Sequence, residues 1–282
     1  MVITVTGIGL IGGSMALALK EKGFASTVIG VDASELHREK ALELGLVDKV
    51  ATLEEAVAES DLIILAVPVS ATLQLLPQVL RLINDKQVVM DVGSTKQSVI
   101  DLIAPYEHKN RVVATHPMWG TEFSGPEAAV KNAFTDKATV ICNKEQADAD
   151  AVELVEKLYQ TLGMHLVYMN AVDHDVHVAY ISHISHITSF ALANTVLEKE
   201  REEDAIFELA SGGFESTVRL AKSNSEMWVP IFKQNRDNVL DVLNEHIAQL
   251  RKFKACLEKE NYDYLRELIE NANKIRKVLN RG

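Results

Sequence analysis

Ser94, His116, His183 and Arg219 are of types suited to handling a hydroxyl group and a carboxylate. His116 lies in the run Val112-Val113-Ala114-Thr115-His116-Pro117-Met118-Trp119-Gly120-Thr121-Glu122. Imidazole is the side chain best matched to moving a proton near neutral pH. Ser94 and Lys96 stand just after a second β-branched run, in Asp91-Val92-Gly93-Ser94-Thr95-Lys96. Ligands of open α/β sheets bind at the carboxyl ends of strands, so Ser94 and His116 are placed where a cofactor and a substrate would meet. Each residue taken alone is also what an ordinary loop carries.

Ser182-His183-Ile184-Ser185-His186 places two histidines three residues apart, on one face of a helix. Asp173, His174, Asp175 and His177 lie just upstream. Such side chains are good metal ligands. No H-E-x-x-H pattern appears, however, and polar lining of a cleft is the better reading. No metal is expected. Arg219 follows two glycines in Gly212-Gly213-Phe214-Glu215-Ser216-Thr217-Val218-Arg219, which reads as a short helix preceded by glycines. A guanidinium fork suits a carboxylate; a solvated surface arginine is the alternative.

Gly7-Ile8-Gly9-Leu10-Ile11-Gly12 has the spacing G-x-G-x-x-G. It follows a β-branched strand and opens a helix, and Asp32 lies twenty residues past Gly12 at the end of the next strand. That context points to a dinucleotide. Gly7 permits the tight turn, Gly9 admits the pyrophosphate and Gly12 lets helix and strand pack closely. Leu10 and Ile11 complete the helix N-terminus, whose N–H groups face the phosphates. Val67 and Pro68, at the end of a later strand, are expected to join them. Asp32 would accept hydrogen bonds from ribose hydroxyls and repel a 2′-phosphate, which favours NAD over NADP.

These residues need a scaffold. Strands are predicted over 2–6, 27–31, 62–67, 87–91, 111–115, 138–142 and 165–168. Helices are predicted over 10–22, 35–44, 53–58, 71–83, 96–103 and 147–162. The alternation predicts an α/β fold, a Rossmann-type doubly wound and mostly parallel sheet. The character changes near Asn170. Helices are predicted over 171–198, 238–260 and 262–279, with no strand. The expected organisation is an NAD-binding domain over 1–170 and an all-α substrate and dimerisation domain over 171–282.

The 282 residues carry a formal net charge of −11, which argues against a nucleic-acid backbone as partner. The longest later apolar run, 62–69, is too short for a bilayer, so no membrane partner is expected. The N-terminal apolar stretch lacks a basic leader and is broken by glycines, unlike a signal peptide. Cys142 and Cys256 form no disulfide framework. A reduced, cytoplasmic protein is expected.

Taken in order, G-x-G-x-I-G-G-S, D-V-G-S-T-K, H-P-M-W-G-T-E, S-H-I-S-H, G-G-F, T-V-R-L-A-K and M-W resemble the prephenate/arogenate dehydrogenase family of tyrosine biosynthesis. The resemblance runs over nearly the whole chain. It implies that His116 is the catalytic histidine at the ring C4 hydroxyl. Ser94 would orient that hydroxyl beside the nicotinamide, and Arg219 would clamp a substrate carboxylate. Ser182, His183 and His186 would line the cleft, Glu122 would order it, and Trp228 would reach it from this or a partner subunit. It implies hydride transfer to NAD with loss of CO₂, from prephenate or, as the alternative, arogenate, and a homodimer through the helical domain.

Two departures from the family pattern stand out. Glu215 and Ser216 follow G-G-F where a basic residue and Asp are often found, and Ser185 replaces a frequent Pro. A β-hydroxyacid dehydrogenase has a similar layout but typically carries a catalytic lysine in the helical part. A non-catalytic NAD sensor would need only the glycine turn.

Overall fold

The computed structural model describes residues 1–200 and 206–279. Strands β1 (Val2–Thr6), β2 (Thr27–Val31), β3 (Lys49–Val50), β4 (Leu62–Leu65), β5 (Val88–Asp91), β6 (Val112–Pro117), β7 (Ala138–Cys142) and β8 (His165–Met169) form one sheet in the order 3-2-1-4-5-6-7-8. All neighbours are parallel except β6 and β7. The order reverses between β1 and β4, the switch point where a crevice opens at the carboxyl ends of the strands.

Helices α1 (Leu10–Glu21), α2 (Glu35–Glu43), α3 (Leu53–Glu59), α4 (Val69–Leu82), α5 (Gln97–Ile103) and α6 (Ala149–Leu162) cover the sheet. Successive strand residues face opposite sides, and two apolar cores result. Ile3, Val5, Ile64 and Met90 pack with Met15 and Leu19 of α1 and with Val155 and Tyr159 of α6. Ile63, Leu65, Val89 and Val112 pack with Leu76 and Val79 of α4 and Val99 of α5. Central strands buried on both faces explain the unbroken Leu62-Ile63-Ile64-Leu65 run.

The remaining helices are α7 (Ala171–Val178), α8 (Ile184–Glu200), α9 (Gly212–Val218), α10 (Ser225–Gln234), α11 (Arg236–Glu258), α12 (Tyr262–Ala272) and α13 (Arg276–Leu279). Contacts divide the chain into two compact units, Met1–Asn235 and Arg236–Gly282. The first therefore contains the sheet and the helices through α10. The second contains α11, α12 and α13, with α11 and α12 packed on each other. Among the described residues no helix is long and apolar enough to cross a membrane.

Several expectations are corrected. The strand at 111–115 extends to Pro117, because antiparallel pairing with β7 sets His116 opposite Val140 and Pro117 opposite Thr139. His116 thus lies inside the sheet rather than after it. The single helix expected over 171–198 is broken by a π-turn at Ala179–His183. Such a turn inserts an extra residue and re-aims the side chains that follow. Gly212 and Gly213 are the first residues of α9 rather than its preface, and Arg219 lies beyond α9 in a 3-10 turn. The helix expected over 262–279 ends at Ala272, followed by a 3-10 turn at Asn273–Ile275. The two-residue strand β3 is too short to show alternation, and the sequence pattern predicts no helix where α10 lies.

Candidate active site

The glycine turn is a close-packed backbone corner. Gly7 has φ 89°, in the left-handed region that favours glycine. A Cβ on Gly12 would stand 2.0 Å from the Gly7 carbonyl oxygen and 2.9 Å from Val5 Cγ1. A Cβ on Gly9 would meet nothing within 4 Å, so that face of the turn is open. Asp32 Oδ2 accepts a hydrogen bond from the Ile8 N–H at 2.9 Å, and its Oδ1 accepts from Ser34 N–H at 2.9 Å. The carboxylate therefore holds the turn as well as facing its cavity. That cavity, of about 820 Å³, is lined by Gly7, Gly9, Asp32, Arg38, Val67 and Pro68 among others. Its position at the ends of β1, β2 and β4 suits a dinucleotide. Leu10 and Ile11 begin α1 beside it, half-buried.

His116 is half-buried and held on β6. Its Nδ1 is 2.9 Å from His174 Nε2, and His174 Nδ1 is 2.8 Å from Asp175 Oδ1. The two imidazoles meet edge to face, 5.1 Å between centroids. Asp175 also accepts the backbone N–H groups of Lys96, at 2.8 Å, and Gln97, at 3.0 Å. Asn170 caps the start of α7 by accepting the Asp173 N–H, so His174 and Asp175 sit near the N-terminus of a capped helix. His116 Nε2 has no protein partner among the described residues.

Lys96 lies behind this group, fully buried and paired with Asp91, and donates to the Thr115 carbonyl at 2.6 Å. Lys96 is thus a buried strut between β5 and β6 rather than a ligand group. Ser94, half-buried, lies in the loop between Asp91 and Lys96. The Thr95 hydroxyl donates to Gln234 Oε1 at 2.6 Å, tying the Ser94 loop to α10.

Helix α10 carries Trp228. The indole stacks on His186 at 3.4 Å between centroids and meets His183 edge-on at 5.9 Å. It packs against Val69, directly after Pro68 of the dinucleotide cavity. Trp228 Nε1 is buried without a hydrogen-bond partner among the described residues. Asn235 Nδ2 donates to the Asp175 carbonyl at 2.6 Å and to His183 Nδ1 at 3.2 Å. His186 Nδ1 donates to the Ser182 carbonyl at 3.0 Å. Arg219 Nη1 donates to Glu122 Oε2 at 3.1 Å, with Arg219 about half exposed. Glu215 and Ser216 are exposed on α9.

Burial pushes the His116 imidazole well below the ordinary histidine value, and His174, Lys96 and His183 add to it. Burial likewise lowers His174 and His186. His183 is lowered to about 4, chiefly by burial. A histidine whose folded value lies below its unfolded value destabilises the fold in acid. Stability is full above the unfolded value of 6.5 and falls as pH drops from there towards 4. For His183 alone this amounts to about 3 kcal/mol between neutrality and pH 4. Denaturant melts across that interval should show a smaller acid loss in His183→Gln than in the unaltered protein. Equal acid losses in the two would contradict the burial of a neutral His183.

Ser94, His116, Ser182, His183, His186, Glu122, Arg219 and Trp228 are the catalytic and substrate-binding residues expected from the sequence. The structure places them around one region of the first compact unit, joined through His174, Asp175 and α10. His174 and Asp175 were noted only as polar neighbours, and Asn235 and the Asp91–Lys96 pair were missed. The Asp-His-Asp run at 173–175 was the visible signal. No group of three or more His, Cys, Asp or Glu among the described residues could hold a metal ion.

Residues 15–168 match the model of the prephenate dehydrogenase nucleotide-binding domain, and residues 170–271 match that of the prephenate dehydrogenase dimerization domain. The chain belongs to the prephenate dehydrogenase family. Within that family it is 33% identical to the prephenate dehydrogenase of Bacillus subtilis, over 97% of this chain and 75% of that one. It is 31% identical to the cyclohexadienyl dehydrogenase of Zymomonas mobilis, over 98% of this chain and 95% of that one. The crystal structure of Aquifex aeolicus prephenate dehydrogenase in complex with hydroxyphenyl propionate and NAD+ superposes with a TM-score of 0.91 at 28% identity, covering 99% of this chain and 98% of that one. The boundary between the two family models, at 168–170, is the point where strand gives way to helix.

Proposed function

We propose that this protein oxidatively decarboxylates prephenate to 4-hydroxyphenylpyruvate. The observation that carries the reading is His116. It is a half-buried imidazole kept neutral, with Nε2 unpaired, on the sheet that binds the dinucleotide. The cofactor is NAD, which accepts the hydride from C4. The open face at Gly9 fits a pyrophosphate and Asp32 fits an unphosphorylated ribose. His116 Nε2 takes the C4 hydroxyl proton as the hydride leaves. Loss of the ring carboxylate as CO₂ supplies the electron pair that closes the aromatic ring, and His116 returns the proton to the phenolate oxygen. The reaction needs alignment more than charge stabilisation. Ser94 holds the hydroxyl, and Arg219 grips a carboxylate in place of Glu122. Ser182, His183 and His186 line the cleft, and the unspent Trp228 Nε1–H is a donor for a substrate oxygen.

Residues 1–170 serve the cofactor in this reading. Residues 171–282 serve the substrate and the dimer contacts of a cytoplasmic homodimer, which the dimerization-domain match supports. NADH formation followed with prephenate and, separately, with arogenate tests the assignment. Turnover of prephenate at least tenfold more efficient than that of arogenate is expected. The reverse order would reassign the protein as an arogenate dehydrogenase, and no NADH with either substrate would remove the reading.

Gly12→Ala supplies a second test, on the cofactor half. The added methyl cannot fit 2.0 Å from a carbonyl oxygen, so the turn must shift. A cost of about 1–3 kcal/mol in stability is expected from overpacking, with NAD affinity lower by about tenfold or more. Calorimetric titration showing unchanged NAD affinity would exclude this turn from the cofactor site.

A further inference from the structure

We propose that His174 and Asp175 are positioning residues that set the tautomer of His116. The inference rests on the reading of His116 as the base. The bond directions follow from one end of the chain. Asp175 accepts the Lys96 and Gln97 backbone N–H groups, so its carboxylate faces donors. At 2.8 Å, His174 Nδ1 must then carry its proton and donate to Asp175 Oδ1. A neutral His174 with its proton on Nδ1 has only a lone pair on Nε2. That lone pair faces His116 Nδ1 at 2.9 Å, so His116 must donate from Nδ1. The His116 lone pair is thereby left on Nε2, the nitrogen without a protein partner. With the proton on Nε2 instead, two lone pairs would face each other at 2.9 Å. His174 is fully buried and Asp175 is 4% exposed, so water has little access to relieve that contact.

The arrangement resembles the carboxylate–imidazole orientation of a hydrolase triad, extended by one imidazole. The extension lets a carboxylate on α7 act on β6 without placing a negative charge directly against the base. It also gives the imidazolium formed in the reaction a hydrogen-bond acceptor already in place.

The test uses NAD-loaded enzyme with ¹⁵N-labelled histidine, the His116 signals being assigned by their loss in His116→Asn. Two-bond ¹H–¹⁵N correlations report which ring nitrogen carries the proton, and need no substrate. The unaltered enzyme should show His116 protonated at Nδ1. His174→Phe removes the acceptor and should move the proton towards Nε2. It should lower kcat by about tenfold to a hundredfold, as loss of orienting partners does elsewhere, with KM for prephenate changed less than threefold. His174→Gln keeps a carbonyl acceptor near the same place. It should retain the Nδ1 proton and a kcat within about fivefold. Protonation of His116 at Nε2 in the unaltered enzyme, or an unchanged tautomer and kcat in His174→Phe, would overturn the proposal. If His174→Phe does not fold, the spectrum of the unaltered enzyme and the His174→Gln pair still decide it. If prephenate is not turned over, the function reading fails while the spectrum still reports the tautomer.

Discussion

Replacing His116 with asparagine should lower kcat by about a thousandfold, within the range of about 10²–10⁴ that a general base contributes. Asparagine fits the half-buried position and can still hydrogen-bond, but it cannot take a proton. His116 sits within the β6–β7 ladder, opposite Val140, so the backbone should not move. The dinucleotide cavity lies at the ends of β1, β2 and β4, away from this strand. NAD affinity should therefore stay within twofold, measured by titration of the purified variant. Near-normal turnover would remove His116 from the mechanism. The pH profile adds a check. Burial favours the neutral imidazole, so the acidic limb of kcat/KM for the unaltered enzyme should fall below the ordinary histidine value of 6.5. An acidic limb at or above that value would mean that another group is the base.

Arg219→Gln should raise KM for prephenate by about thirtyfold to a thousandfold. That range corresponds to about 2–4 kcal/mol, within the roughly 2–5 kcal/mol lost when one partner of a desolvated charge pair is removed. In the structure Arg219 holds Glu122, an exposed pair of the kind that contributes little. In the proposed reading a substrate carboxylate would displace Glu122 and exclude water from the guanidinium, and a charge-assisted bond made there would be worth more. The KM for NAD should be unaffected, since Arg219 does not line the dinucleotide cavity. Equal rises in both constants would defeat the clamp assignment. A Lys at this position should recover only part of the loss, because an ammonium lacks the planar fork.

The sheet was legible because its strands announce themselves locally. Val2–Thr6, Thr27–Val31 and Ala138–Cys142 are β-branched, apolar and bounded by turn residues, and they were bounded correctly. The breaks in the helical part were not legible. The π-turn at Ala179–His183 and the split of the last helix depend on packing that spans distant residues, and local propensity is nearly indifferent to them. The same holds for His116, since a local reading ends the strand at Thr115 and only pairing with β7 carries it further.

By itself the sequence determined the dinucleotide half and the identity of the family. A glycine turn works through backbone geometry at fixed spacing, and ordered motifs survive as strings. It also named the candidate base, its serine and its arginine. Only the tertiary structure decided how that base is held. Asp175 and His174 adjoin in sequence but are far from His116. Lys96 and Gln97 reach Asp175 from a third segment. Hydrogen-bond direction is a property of atoms brought within 3 Å, so a tautomer can be read only after the chain has folded.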